Sequence, residues 1–284
     1  YRYRGDVFEI VGLVLKKNCI NNKDFVEICS NIIEYASDVL NDSPYVNRVY
    51  QAQNKIINNE FRVITTVNRK MTFYDYRYYN QFGVTNDLVD KYVKAVESFK
   101  IDGVSNPYYY TRHDPCYEYQ VNDGCIKLYF PFRNKHTANR FITNNKCPLE
   151  NLETLIDTNY KLIVKSQKDK LLMLRILREL RINDVGVYVI ASETAKLPDD
   201  IVDVLRKTTR IQVYVMLDTD NTGLTSAIEY EKNYGFIALF MTKGYSAKDP
   251  TDLVRITDYN FVKKKFANMY LNEIVNGKKG GVVP

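Results

Sequence analysis

The chain has 284 residues, 45% hydrophobic and 26% charged, enough apolar material for a sizeable core and too balanced a composition for wholesale disorder. Its length suits one large domain or two modest ones. With 40 Lys and Arg against 34 Asp and Glu, the net charge of +6 leans toward polyanionic partners. No apolar run reaches the ~18–20 residues that span a bilayer, and no signal-peptide core follows the basic start. A cytoplasmic protein without a membrane partner is expected.

Five cysteines at irregular spacing, without a CxxC pair and with only His113 and His136 to join them, argue for scattered reduced thiols and against a zinc site. The chain opens on Tyr1 rather than Met, as expected of a piece of something longer.

Apolar residues at three- and four-residue spacing predict two short helices between residue 5 and about residue 40, broken at Asn21-Asn22. Residues 41–80 are polar and rich in Asn, Arg and Tyr, and the apolar islands Ile56-Ile57 and Val63-Ile64 are too short to assign. Thr85 signals a helix start for Val84–Tyr92, with Val93–Phe99 as a strand. From Tyr108 to Ile142, aromatic and β-branched residues flank a turn at Asn122-Asp123-Gly124, the pattern of a hairpin.

From Leu152 onward the rhythm changes. Strands are predicted at 161–165, 185–191, 211–217 and 236–242, alternating with helices at 168–181, 198–208 and 223–234. This βαβαβαβ order implies a mostly parallel four-stranded sheet. The expected divisions are 1–151, 152–256 and 257–284, the last a helix and tail.

Ligands of an open parallel sheet bind beyond the carboxyl ends of its strands, and here those ends are polar. They carry Lys165, Ser166, Lys168 and Asp169; Ser192 and Glu193; Asp218, Thr219 and Asp220; and Lys243, Lys248, Asp249 and Asp252. Asp218 and Asp220 sit two apart, so an extended segment points them to one side. Two bare carboxylates at ~4–6 Å repel by about 3 kcal/mol, which invites a cation. Oxygen ligands without His or Cys suit Mg²⁺ or Mn²⁺. The competing reading of Asp220, ahead of Asn-Thr-Gly and a helix, is a helix cap.

These motifs carry a resemblance. Residues 160–255 resemble a Toprim domain, the metal-binding fold shared by bacterial-type primases, topoisomerases and some nucleases, through LDTDNTG and the primase-like AKDPTDL. The family's first glutamate is absent: LIVKSQKD puts Lys165 in its place and keeps Asp169. Glu193, in ASET, is the expected substitute, with Lys165 moved to phosphate or charge-balancing duty. GDVFEIVGLVL, FGVTNDLVDKYVKAV, IKLYFPFRN and NRFITNN resemble, in order, segments of the RNA polymerase domain of DnaG-like DNA primases.

The resemblance implies a divergent, phage-like primase core. An α+β primase-type subdomain would precede an α/β Toprim domain, and the core would lack its zinc-binding module. It would copy single-stranded DNA into short RNA primers from ribonucleoside triphosphates, with a replicative helicase as a further partner, in the host cytoplasm if phage-encoded. Asp218, Asp220 and Glu193 are the expected catalytic residues, and Asp218, Asp220, Asp249, Asp169 and Asp252 the expected Mg²⁺ or Mn²⁺ ligands. Lys127, Arg133, Arg140, Asn144, Lys165, Lys168 and Lys248 would meet nucleotide and template. A Toprim nuclease and a catalytically inactive Toprim that binds nucleic acid are the alternatives. Tyrosines beside arginines in YDYRYY and YYYTR suit base stacking, but more often such residues cover a sheet.

Overall fold

The structure, a computed structural model, describes residues 63–275 except 105, 123–124, 135–138, 145–146, 151–156 and 195. The chain divides into two units, Tyr1–Glu60 and Phe61–Pro284; the described residues belong to the second. The helical pair expected between residues 5 and 40, with GDVFEIVGLVL, lies outside them.

Six strands form an antiparallel sheet: β1 (Ile64–Arg69), β2 (Lys94–Ile101), β3 (Tyr108–Tyr109), β4 (Cys116–Asn122), β5 (Cys125–Tyr129) and β6 (Phe141–Thr143). Their order is β1-β2-β4-β5-β6, with β3 on β2. As the hairpin signal predicted, β4 and β5 pair antiparallel, Tyr117 opposite Tyr129. Two helices, α1 (Phe73–Asn80) and α2 (Asn86–Tyr92), with the turn between them, bring Tyr78, Tyr79, Phe82, Leu88 and Val89 onto Ala95, Tyr117, Tyr119, Val121 and Tyr129. The buried phenols satisfy one another: the hydroxyls of Tyr78 and Tyr129 are 2.7 Å apart, as are those of Tyr79 and Tyr119. A hydroxyl taken out of water needs such a partner.

The second sheet holds β7 (Leu149–Glu150), β8 (Thr158–Val164), β9 (Val185–Ile190), β10 (Thr209–Met216) and β11 (Ile237–Ala238) in the order β11-β10-β8-β9-β7. Strands β8 to β11 pair in parallel and β7 runs antiparallel on β9. The helices are α3 (Gln167–Glu179), α4 (Asp199–Lys207), α5 (Asn221–Tyr234), α6 (Pro250–Ile256) and α7 (Tyr259–Met269), which runs into a π-helix at Tyr270–Val275.

The strands read as continuous apolar runs because both faces of this sheet are covered. Successive side chains alternate between faces. Leu162, Val164, Val187, Val189, Tyr214 and Met216 meet Leu172, Met173 and Ile176 of α3, Leu253 of α6 and Phe266 of α7. Ile163, Tyr188, Ile190, Val213 and Val215 meet Val202 and Leu205 of α4 and Ala227 and Tyr230 of α5. Each such Leu, Ile or Phe contributes roughly 1.5–3 kcal/mol relative to exposure.

Two expectations about this sheet need correction. Among the described residues it has five strands rather than four, because Leu149-Glu150 adds an antiparallel edge too short to show any period in the sequence. The strand expected at 236–242 pairs only at Ile237–Ala238. Its apolar character serves packing rather than pairing: Leu239 and Met241 enter one core, Phe236 and Ala238 the other.

Candidate metal centre

The carboxyl ends of β8, β9 and β10 lie side by side in the sheet, so Lys165, Glu193 and Asp218, each a few residues beyond its strand, meet at one rim. Glu193, Asp218 and Asp220 each offer a carboxylate oxygen within 4.8 Å of the others, the one such acidic or thiol/imidazole trio among the described residues. Asp218 is held from several sides. Its backbone N–H donates to Glu193 Oε1 at 3.2 Å, Lys165 Nζ donates to its Oδ2, and Lys248 Nζ stands 3.5 Å from the same oxygen. Its other oxygen, Oδ1, is buried without a hydrogen-bond partner.

Lys165 also lies 2.8 Å from Glu193 Oε1. Burial pulls its ammonium down and the two carboxylates more than offset this, so the group is held above its ordinary value. Burial likewise favours the neutral form of Asp218, and the Lys165 charge opposes that.

The remaining expected ligands take different posts. Asp220 caps α5, accepting from the Gly223 N–H at 3.0 Å, while still reaching the trio. Asp249 caps α6, accepting from Asp252 N–H at 2.6 Å and Thr251 Oγ1 at 2.8 Å. Asp169 is buried at the start of α3. Ser166 Oγ donates to it at 2.6 Å and the Thr251 N–H at 3.4 Å. Burial first, then the nearby Asp249 charge, pushes Asp169 up to about 7. Asp252 lies 3.6 Å from Arg255. Asp169, Asp249 and Asp252 are not members of the trio.

The main chain fixes the two acidic loops together: Thr219 N–H donates to the Lys248 carbonyl at 2.8 Å, and the Thr219 and Thr242 hydroxyls are 2.9 Å apart.

A cavity of about 990 Å³ opens beside the centre, lined among others by Lys127 and Tyr129 of the antiparallel sheet and by Lys165, Lys168 and Glu193 of the parallel one. Of the residues expected to meet nucleotide, Lys127, Lys165 and Lys168 thus line the same space as Glu193, while Arg133, Arg140, Asn144 and Lys248 do not line it, and several of the seven are engaged. Lys127 Nζ is 2.6 Å from Glu150. Arg133 grips Asp114 with Nε at 2.9 Å and Nη2 at 2.7 Å and lies 3.4 Å over the Phe130 ring. Arg140 donates to the Tyr129 hydroxyl and the Pro131 carbonyl. Asn144 accepts from the Ile126 N–H at 2.9 Å, which ties down its loop. Lys168 sits 3.9 Å over the Phe82 ring, and Lys248 is 53% exposed.

The sequence reading passed over Glu150, which accepts from both Lys127 and Gln167 at 2.6 Å and joins the two sheets' sides of the cavity. Its signal was one of the two glutamates in CPLENLE, with no pattern around it. It also passed over the pair formed by Cys125 and Cys147, whose sulfurs are 3.2 Å apart across 22 residues of chain.

The fold and rim define a two-sheet α/β protein with an acidic centre at the carboxyl edge of its parallel strands. The chain matches no protein-family model and no curated protein. Among solved structures it is similar to the primase domains of bacteriophage T7 in a complex with the T7 lagging-strand DNA polymerase, bound to an RNA/DNA hybrid and dTTP. The identity is 10% over 74% of this chain and 92% of that one, with a TM-score of 0.45. It is similar to the primase fragment of the T7 primase-helicase, at 13% identity over 72% and 82% and a TM-score of 0.44. The RNA polymerase domain of Mycobacterium tuberculosis primase DnaG, in complex with double-stranded DNA, gives 10% identity over 78% of each chain and a TM-score of 0.49.

Proposed function

We propose that the chain is the catalytic core of a DNA primase, a Toprim-type nucleotidyltransferase that joins ribonucleotides on a single-stranded DNA template. The observation that carries this reading is the convergence of Glu193, Asp218 and Asp220 at the strand ends, with the buried Asp218 Oδ1 left without a partner. An all-oxygen donor set of this kind fits Mg²⁺ or Mn²⁺. Such an ion supplies charge neutralisation at the triphosphate and polarisation of an attacking hydroxyl.

The chain's own residues have distinct tasks in this scheme. Asp218, Asp220 and Glu193 would hold the ion. Lys248 and Lys168 offset phosphate charge. The cavity wall of Tyr129, Phe141 and Lys127 gives a base an aromatic face and its phosphates a cation. The template is single-stranded DNA, and a replicative helicase is a fitting partner for an enzyme of this class.

A second reading has an observation of its own. The ammonium of Lys165, set between Glu193 and Asp218, supplies a positive charge without a metal and favours a Toprim that binds nucleic acid without catalysis.

Incorporation of labelled ribonucleotides on a single-stranded template with Mg²⁺ or Mn²⁺ decides between them. Primer synthesis by the wild-type chain that is lost in Asp218→Ala, and cut at least tenfold in Glu193→Ala, supports the primase. Template binding without synthesis, even with a zinc-binding module joined to the N-terminus, removes it. Cleavage of the template would point to a nuclease.

A further inference from the structure

The acidic centre already contains a cation. Lys165 Nζ touches Asp218 Oδ2 and lies 2.8 Å from Glu193 Oε1, so it satisfies two of the three carboxylates that converge there. An ammonium donates up to three hydrogen bonds from one point charge. The buried Asp218 Oδ1 is still without a hydrogen-bond partner, but a divalent ion bound there and at Glu193 would stand only a few ångströms from this ammonium, and the two positive charges repel strongly. Lys165 therefore cannot stay where it is when such an ion arrives.

It has somewhere to go. Its side chain is 33% exposed, it ends a flexible four-carbon stem, and it lines the cavity of about 990 Å³ together with Ser166, Lys168, Ser192 and Thr194. We infer that Lys165 is a displaceable counter-ion of the metal centre: it holds Glu193 and Asp218 together in the absence of metal, and turns into the cavity when a divalent cation binds. The released ammonium then faces the space that anionic phosphates of a nucleotide would fill. This rests on reading the trio as a metal centre, and it adds an energetic consequence. Metal must break two ion pairs to enter, so the apparent affinity of the wild-type chain is lower than that of the bare carboxylates by the fraction of molecules in which Lys165 has moved.

The test is Mn²⁺ binding to the full chain, followed by calorimetry. Lys165→Gln removes the competing charge and is expected to bind Mn²⁺ at least tenfold more tightly than wild type, while Asp218→Asn loses the site. Unchanged or weaker Mn²⁺ binding in Lys165→Gln overturns the inference and leaves Lys165 as a fixed structural ion pair. Lys165→Gln should also melt lower than wild type without metal and regain more on adding Mn²⁺.

Should that variant fold poorly, acylation of the wild-type chain read by mass spectrometry asks the same question. Saturating Mn²⁺ is expected to raise modification of Lys165 relative to the exposed Lys207, and equal modification with and without Mn²⁺ refutes displacement. Neither readout involves primer synthesis. Tighter Mn²⁺ binding without primers sustains this inference against the primase reading, and primers with unchanged affinity do the reverse.

Discussion

Gly223, in the first turn of α5, lies against the main chain of Asp218: a Cβ added there would fall inside van der Waals contact of the Asp218 carbonyl oxygen, 2.8 Å from its carbonyl carbon and 3.0 Å from its nitrogen. The helix can begin directly under the acidic strand end only because this residue has no side chain. Gly223→Ala is expected to cost about 3 kcal/mol, since backbone rather than a side-chain tip must shift. It should also weaken Mn²⁺ binding by displacing Asp218 and Asp220 together. Urea denaturation and a metal titration check both effects, and native values for each would show that the strand end tolerates the shift.

Asp75 gives an acid-stability prediction away from the acidic centre. Burial pushes its carboxyl up, but hydrogen bonds from Arg69, Thr72 and Tyr117 outweigh this and hold it at about 2, below its ordinary value of 3.8. A carboxyl depressed by folding contributes stability that is present above its unfolded pKa and lost as pH falls through the folded one. Stability should therefore drop between about pH 4 and pH 2. In Asp75→Asn that part of the slope should vanish. Contributions from the exposed Asp87 and the part-exposed Glu179, both also near 2, should remain. At neutral pH the variant is expected to lose about 3 kcal/mol, because Arg69, paired at 2.7 Å, is left without its anion.

The phenol pairs of the antiparallel sheet lend themselves to a double-mutant cycle. Tyr79→Phe leaves the Tyr119 hydroxyl buried and unpaired, at a cost of about 1–2 kcal/mol. The double variant with Tyr119→Phe removes both hydroxyls and should be more stable than the sum of the single losses implies. Strict additivity in chemical denaturation would mean that water reaches this pair.

The cationic residues divide by how closely they are held and how exposed they are. Lys248 is half exposed and 3.5 Å from Asp218, whereas Lys127 is shielded and 2.6 Å from Glu150. If single-stranded DNA crosses this rim, Lys248→Ala should reduce the slope of log affinity against log salt by about 0.7, the value for one phosphate contact on a single strand. Lys127→Ala should leave that slope nearly unchanged and lower the melting temperature instead. Fluorescence anisotropy over a salt series measures the first, thermal unfolding the second.

Legibility in the sequence followed the range of the forces involved. The alternation beyond residue 152 was readable because both sheet faces demand apolar residues at every position, and helix and strand periods then stand out from the polar loops. The expected helices at 168–181, 198–208 and 223–234 correspond to Gln167–Glu179, Asp199–Lys207 and Asn221–Tyr234. In the 41–80 stretch, β1 and α1 were illegible because ITTVNR and FYDYRYYN bury few side chains and lean on Tyr78, Tyr79 and Asp75 instead. Most tyrosines of the later strands cover the sheet, while Tyr74 and Tyr109 stand exposed.

At the centre, Asp218, Asp220 and Glu193 were legible through strand ends and spacing. The posts of Asp169 and Glu150 were not, because they depend on partners 82 and 17 residues away. The contact between Lys165 and Asp218 spans 53 residues and exists only once β8 and β10 lie side by side.

The brevity of β7 and β11 has a consequence for association. An outer strand exposes a row of unpaired amides and carbonyls on which another polypeptide can build. Among the described residues each outer strand of the five-stranded sheet is two residues long, one antiparallel to its neighbour and one parallel, so the outer strands themselves offer a newcomer little ladder to extend. What such a newcomer meets is the length of β10 and β9 beyond those two-residue ladders, where Thr209–Gln212 is the more polar end of β10.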